Sequence, residues 1–208
     1  MQKFDTHTAN AVRMRAIAAA LLLGAALLLG TPVDASAQRT AYGESFISVA
    51  GSCNFTSFGA EAWYGRYLRS GFWQGGVDLS NVATLESSSG EVVQFQRLTA
   101  AGAILYRLFG TQSRSFSFYG GGDLFVGMEF LDAMHSLTPA VREALLNGGF
   151  TPSRFVYGAS ARLDAELFIT TRLALIIPAR LSFHGGSQMS SPFTYITPSV
   201  GAGLRLNF

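Results

Sequence analysis

Residues 154–170 alternate without interruption. Phe155, Tyr157, Ala159, Ala161, Leu163, Ala165, Leu167 and Ile169 fall on one parity, with Gly158, Ser160, Arg162, Asp164 and Glu166 on the other. Successive side chains of an extended chain point to opposite sides, so strict alternation marks a strand with one apolar and one polar face. Seventeen residues of it is far more than the five or six typical of a strand in a soluble sheet.

The same test divides much of the remaining chain. Leu173, Leu175, Ile177, Ala179, Leu181 and Phe183 oppose Arg172, Arg180, Ser182 and His184. Ile196, Val200, Ala202, Leu204, Leu206 and Phe208 oppose Thr197, Ser199, Arg205 and Asn207. Leu98, Ala100, Ile104, Tyr106 and Leu108 face away from Arg97, Thr99 and Arg107. In 115–130, Phe116, Phe118, Leu124, Val126, Met128 and Phe130 oppose Ser115, Ser117, Asp123 and Glu129. That segment also contains Gly120, Gly121 and Gly122. A phosphate-binding loop needs a helix directly after its glycines, so that free N–H groups meet the anion. Here the alternation runs straight on, without a Lys-Ser/Thr pair, and the glycines read as mid-strand positions where a small barrel bends and bulky inner groups fit. Three weaker segments, 42–51, 58–68 and 72–80, bring the strand count to eight.

Parity does not say which face looks inward, so the connections decide. With the first strand entering from the periplasmic side, the links there are short: 69–71, 110–114 and a tight turn at Thr170 and Thr171. The opposite links, 52–57, 81–91, 131–153 and 185–192, are longer on average. Short turns on one side and long loops on the other are the pattern of bacterial outer-membrane barrels. Lipid offers no hydrogen bonds to a strand edge, which leaves a closed sheet as the only stable solution. The predicted fold is all-β: an eight-stranded antiparallel transmembrane outer-membrane β-barrel, with a short helix in the third extracellular loop. Tyr42, Trp73, Tyr106, Phe116, Phe130, Phe155 and Phe183 are candidates for its interfacial girdles. The closing strand places Phe208 on the apolar face, resembling the terminal aromatic signal that outer-membrane proteins show to the barrel assembly machinery.

Ahead of the strands stands the uninterrupted apolar run of the chain, 16–30, with Arg13 and Arg15 before it and Ala35-Ser36-Ala37 after it. This is a signal-peptide pattern, too short for a spanning helix, with cleavage expected between Ala37 and Gln38. The expected organisation is signal peptide 1–37 and barrel 38–208. Initiation at Met14 instead of Met1 would give a more ordinary leader. The exported part holds 12 Arg, 11 acidic residues and no Lys. Its near-neutral charge gives no electrostatic grip on DNA or RNA, and no direct nucleic-acid binding is expected.

On the polar face lie Asp78, Arg97, Arg107, Asp123, Glu129, Arg162, Asp164, Glu166, Arg180 and Arg205, five charges of each sign. Eight strands leave a lumen that side chains fill, so the expected content is a compensated ion-pair network and not a pore. Cys53 reads as a loop thiol with no internal disulfide partner. The best nucleophile–base pair is Ser182 with His184, on one face of one strand, with Glu129 or Glu166 to orient the histidine. Both lie on the lumen side, away from any arriving lipid tail, so no catalytic, cofactor-binding or metal site is assigned and no cofactor is expected. Within 131–153, Thr138, Pro139 and Asn147-Gly148 punctuate a two-turn helix whose apolar stripe is Val141 and Leu145.

The segments FYGGGDLFVGMEF, FVYGASARLDAELFITTRLALIIPARLSFHGGS and the closing VGAGLRLNF, with a Leu-Thr-Pro in the loop between, resemble the conjugal transfer protein TraO family of Bacteroidetes conjugative elements. The resemblance implies a membrane-anchored structural component of a conjugative DNA-transfer apparatus. Its partners would be outer-membrane lipids, the barrel assembly machinery and other conjugation proteins of the type IV secretion kind. The competing expectations are a free-standing small barrel serving envelope stability or adhesion and, less favoured, a lipid-modifying enzyme.

Overall fold

A computed structural model describes residues 42–54, 58–86, 92–109, 116–131, 138–186 and 196–208. The expected leader and the 110–114 turn lie outside these residues. Eight antiparallel strands follow one another around a closed barrel: β1 (Ser45–Cys53), β2 (Phe58–Leu68), β3 (Gly71–Glu86), β4 (Val92–Phe109), β5 (Phe116–Leu131), β6 (Ser153–Phe168), β7 (Leu173–Gly185) and β8 (Ile196–Asn207). A short helix, α1 (Pro139–Asn147), sits between β5 and β6. No helix among the described residues is long and apolar enough to cross a membrane.

Closure comes from β1 pairing with β8, from Phe46 opposite Asn207 to Cys53 opposite Val200. Beyond the ladder, Ser45 and Phe208 exchange two backbone hydrogen bonds, of 3.0 and 2.9 Å. The β7–β8 ladder pauses at Ile177 and Pro178 and resumes in the same register at Ala179. Proline has no N–H to contribute to a ladder.

One end of the barrel is closed by the turns Arg69–Ser70 and 169–172, and we call it the turn end; the other carries α1 and is the loop end. The expected 81–91 loop is shorter than its sequence implies. Residues 81–86 extend β3 and pair with β4 as far as Glu86 opposite Val92, across an irregularity at Asn81 and Ala83. Cys53, expected in a loop, is the last residue of β1, where its thiol donates to the Val200 carbonyl at 3.5 Å. In α1, Pro139 stands in the first turn and Gly148 closes the helix with its N–H on the Ala144 carbonyl, whereas the Thr138 hydroxyl makes no capping bond. Val141 and Leu145 are the half-buried residues of this otherwise exposed helix, as its stripe predicts. Just beyond it, Phe150 lays its ring 5.8 Å from that of Phe95, which is fully buried at the loop end.

The apolar parity faces out. Val49, Val77, Leu98, Ile104, Leu124, Val126, Leu163 and Leu204 are all exposed. So are all seven girdle candidates, from Phe130 at 39% to Tyr42 at 72%. Tyr42, Trp73, Tyr106 and Phe116 ring the turn end; Phe130, Phe155 and Phe183 ring the loop end. Phe116 and Phe130 bracket the outer face of β5. About 14 steps of ~3.3 Å on a strand tilted by ~45° separate them by roughly 33 Å along the barrel axis, which suits a bilayer core with an aromatic ring at each boundary.

Of the three consecutive glycines, Gly121 is the most tightly held, though a Cβ at Gly120 would meet the Leu108 side chain at 2.7 Å and one at Gly122 the Ser160 carbonyl oxygen at 2.9 Å. A Cβ at Gly121 would lie 2.0 Å from the Ile104 carbonyl oxygen and 2.8 Å from the Leu105 Cα, so β4 and β5 approach too closely for any side chain. At Gly102, on the outer face, a Cβ meets nothing within 4 Å. Gly121→Ala is therefore expected to destabilise the folded barrel by about 1–3 kcal/mol, and Gly102→Ala by less than about 0.5 kcal/mol. Urea midpoints of the barrel folded into lipid vesicles measure both.

Candidate functional site: a filled lumen with a polar vestibule

The polar parity meets itself across the barrel axis. β2 and β6 are separated by three strands on either side, so contact between their side chains runs through the lumen. Arg162 of β6 reaches Glu61 of β2 at 3.0 Å, while its Nε binds Asp164 at 2.8 Å. Glu61 also takes Arg180 of β7 at 3.0 Å. Arg180 in turn faces Asp78 at 3.5 Å and Asp123 at 3.2 Å. Trp63 lies beneath this centre, with the guanidinium carbons of Arg162 and Arg180 4.7 and 5.4 Å from its ring. One carboxylate and two guanidiniums thus tie together opposite walls.

Toward the turn end the filling becomes aromatic. Phe46, Tyr67, Phe72 and Tyr119 form a chain of edge-to-face and tilted ring pairs with centroids 4.9 to 5.7 Å apart. Arg205, with no accessible side-chain surface, is inserted among them, 4.2 Å from the Phe46 ring and 4.5 Å from that of Phe72. Its charge is met by Glu166 at 3.1 Å and Asp164 at 3.5 Å, and Tyr67 donates its hydroxyl to Glu166. The Asp164 contact is long and poorly directed, an electrostatic neighbour more than a hydrogen bond. The aromatic faces and the carboxylate offset part of the desolvation cost of this guanidinium, which donates hydrogen bonds through Nη1 while its Nε and Nη2 have no hydrogen-bond partner.

At the loop end the lumen opens. A small polar vestibule is lined by Asp78, Arg97, Thr99, Arg180, Ser182, His184 and Thr197 among others, with Cys53 at its edge. Arg97 pairs with Glu129 at 2.9 Å and also approaches His184 at 3.3 Å. His184 shares a 2.8 Å hydrogen bond with Thr197.

All ten charges assigned to the polar parity lie on the inner face. Arg107 is the outlying member, half-buried at the turn end with its guanidinium 5.7 Å from the Tyr119 ring. The central carboxylate, Glu61, was missed. In 58–68 aromatic and charged residues occur on both parities, and only the alternation of Glu61 with Ala60 and Ala62 hinted at its side. The sequence reading of the lumen as ion pairs alone also omitted the aromatic plug. The suggested Ser182–His184 arrangement is not supported by its surroundings. The Ser182 hydroxyl is bonded to that of Ser160 at 3.0 Å, and His184 is engaged by Arg97 and Thr197. Glu166 cannot orient His184: it sits opposite Ile176 near the turn end, whereas His184 lies opposite Gly158 near the loop end. Among the described residues no group of His, Cys, Asp and Glu is arranged to hold a metal ion.

Because Glu61 serves two guanidiniums, one of them the fully buried Arg162, Glu61→Gln is expected to cost about 3–5 kcal/mol. Asp78→Asn, removing a longer contact beside the vestibule, is expected to cost about 1 kcal/mol. Unfolding midpoints in vesicles that rank the two equally would contradict the central place given to Glu61.

Among solved structures, the barrel resembles Neisserial surface protein A, with TM-score 0.52 and 16% identity over 80% of this chain and 96% of that one. Weaker likenesses are the Ail protein of Yersinia pestis, with TM-score 0.45 and 12% identity over 81% of this chain and 100% of that one, and the N-terminal barrel domain of Pseudomonas aeruginosa OprF, with the same figures. The first of these shows the fold, that of small outer-membrane barrels. No curated protein matches the chain in sequence. Residues 44–208, all eight strands, match the family described as conjugative transposon protein TraO, and the chain belongs to that family.

Proposed function

We propose that this protein is an outer-membrane component of a conjugative DNA-transfer apparatus and that its role there is structural. The observation that carries the reading is the match of the whole barrel, residues 44–208, to a family of conjugative transposon proteins. The lumen supports the structural role. Glu61, Arg162 and Arg180 span it at mid-height and the aromatics around Arg205 fill its turn end, so neither a DNA strand nor a folded substrate has a path through one barrel. Work on DNA transfer is then done by surfaces: the loops beyond one membrane face and the rim at the other. In this reading the leader 1–37 is removed on export near Ala37, the turn end faces the periplasm, and the barrel assembly machinery inserts the chain. Other conjugation proteins are its partners.

Deleting the gene from its mobile element is expected to lower transfer frequency by orders of magnitude while leaving detergent sensitivity of the donor unchanged. Transfer at the parental frequency would overturn the reading, and detergent sensitivity with normal transfer would favour a free-standing envelope barrel. Complementation with His184→Ala is expected to restore transfer in full. The purified barrel in planar bilayers is expected to show no steady conductance of the size that porins give.

A further inference from the structure

The outside of the barrel is unevenly charged. At the turn end Arg66, Arg69 and Arg172 are exposed, and Glu44 is the one acidic side chain outside the lumen at that end among the described residues. Arg66 differs from an ordinary rim residue because it lies on the outward parity of β2, within the aromatic girdle. It stands opposite Trp73 in the β2–β3 register and two residues beyond Tyr64. The Tyr64 and Trp73 rings pack edge to face at 6.1 Å, and the Tyr64 hydroxyl is hydrogen-bonded to Ser45 at 3.1 Å. The Arg66 Nε donates to the Gly43 carbonyl at 2.8 Å, which fixes the guanidinium at the wall of the barrel. Gly43 has φ of 92°, in the left-handed region, so the chain bends there to present that carbonyl.

A charged group on the lipid-facing parity is costly in hydrocarbon and favourable at the headgroup level, where it meets phosphate. Arginine suits phosphate because its planar fork donates two parallel hydrogen bonds. Only one donor of Arg66 is used by Gly43, which leaves the fork available. The neighbouring indole and phenol rings are of the kind that settles between acyl chain and headgroup. Arg69 in the β2–β3 turn continues the positive rim next to Arg66, and Arg172 in the β6–β7 turn repeats it on the opposite side of the barrel.

We propose that the turn end carries a binding site for anionic phospholipid in the adjacent leaflet, with Arg66 holding the headgroup phosphate against Trp73 and Tyr64 and Arg69 beside it, while Arg172 attracts acidic headgroups on the opposite side of the barrel. The site makes the barrel prefer an acidic leaflet and fixes its depth and orientation in the membrane. It depends on the barrel's being in a bilayer and not on the conjugative role.

The test is native mass spectrometry of the folded full-length exported chain, released from vesicles of equal phosphatidylcholine and phosphatidylglycerol with matched acyl chains. Wild type is expected to retain phosphatidylglycerol about fivefold or more over phosphatidylcholine, and Arg66→Gln/Arg69→Gln/Arg172→Gln is expected to lose that preference. Arg154→Gln, at the loop end, is expected to keep it. Heat-dependent gel mobility checks folding of each variant. Should the triple variant not fold, Arg69→Gln/Arg172→Gln, which leaves the Arg66–Gly43 bond intact, is expected to reduce the preference by about half or more. Equal retention of the two lipids by wild type overturns the proposal, as does displacement of phosphatidylglycerol by inorganic phosphate. A triple variant that keeps its lipid preference but loses DNA transfer would assign the arginines to an acidic protein surface and overturn it as well.

Discussion

Everything in this structure depends on the pairing of the first strand with the last. Each backbone N–H and C=O left open in hydrocarbon costs several kcal/mol, and a sheet of eight strands has two edges unless they meet. The β1–β8 ladder and the reciprocal bonds between Ser45 and Phe208 remove them. Once the sheet is closed, alternation has a fixed meaning, since every odd or even set faces either the outside or a lumen of set width. The close approach of β4 and β5 at Gly121 is a consequence: a barrel this narrow brings neighbouring backbones too near for a Cβ at that position.

The interior then has to be filled with groups that the outside cannot accept, and the filling is graded. At mid-height the density of charge is greatest, and Glu61 is shared by two guanidiniums from neighbouring strands. Toward the turn end rings take over and a single arginine is held among them. Removing one partner of such a set is far more costly than never having had it, because the remaining charge cannot reach water. The network therefore sets register as much as it adds stability: a one-residue slip of β6 would turn Arg162, Asp164 and Glu166 outward together.

The strands with one uniformly apolar face, 154–170 above all, could be placed from the sequence because hydrocarbon tolerates little else on that side. Where lipid does not act, the pattern fades. Residues 81–86 extend β3 although the sequence places them in the 81–91 loop, since ladder hydrogen bonding continues beyond the apolar band and needs no alternation of side chains. In β2, Trp63, Gly65 and Tyr67 point inward and Ala60, Ala62 and Tyr64 outward, so aromatic and small residues occur on both sides and alternation could not tell them apart. Glu61 was hidden for that reason, and with it the centre of the lumen. The aromatic plug was hidden by a related assumption, that rings in such strands belong to the lipid side; Phe46, Phe72 and Tyr119 face the opposite way because the turn end of the lumen excludes water.

A filled lumen also limits how the two membrane faces communicate. Widening the barrel would require separating β2 from β6, and that means breaking Arg162–Glu61 and Tyr67–Glu166 with no water to replace them. Each such loss is worth several kcal/mol, more than the 1–3 kcal/mol over which sites in one protein ordinarily influence each other. An event at the loops therefore has no inexpensive way to open the barrel or to be relayed by its wall. The vestibule around Arg97 and His184 is the part of the interior free to respond to what happens outside, and it ends at Arg180. A barrel filled in this way keeps one shape, so whatever lies outside meets it only at its loops, its rims and its lipid-facing wall.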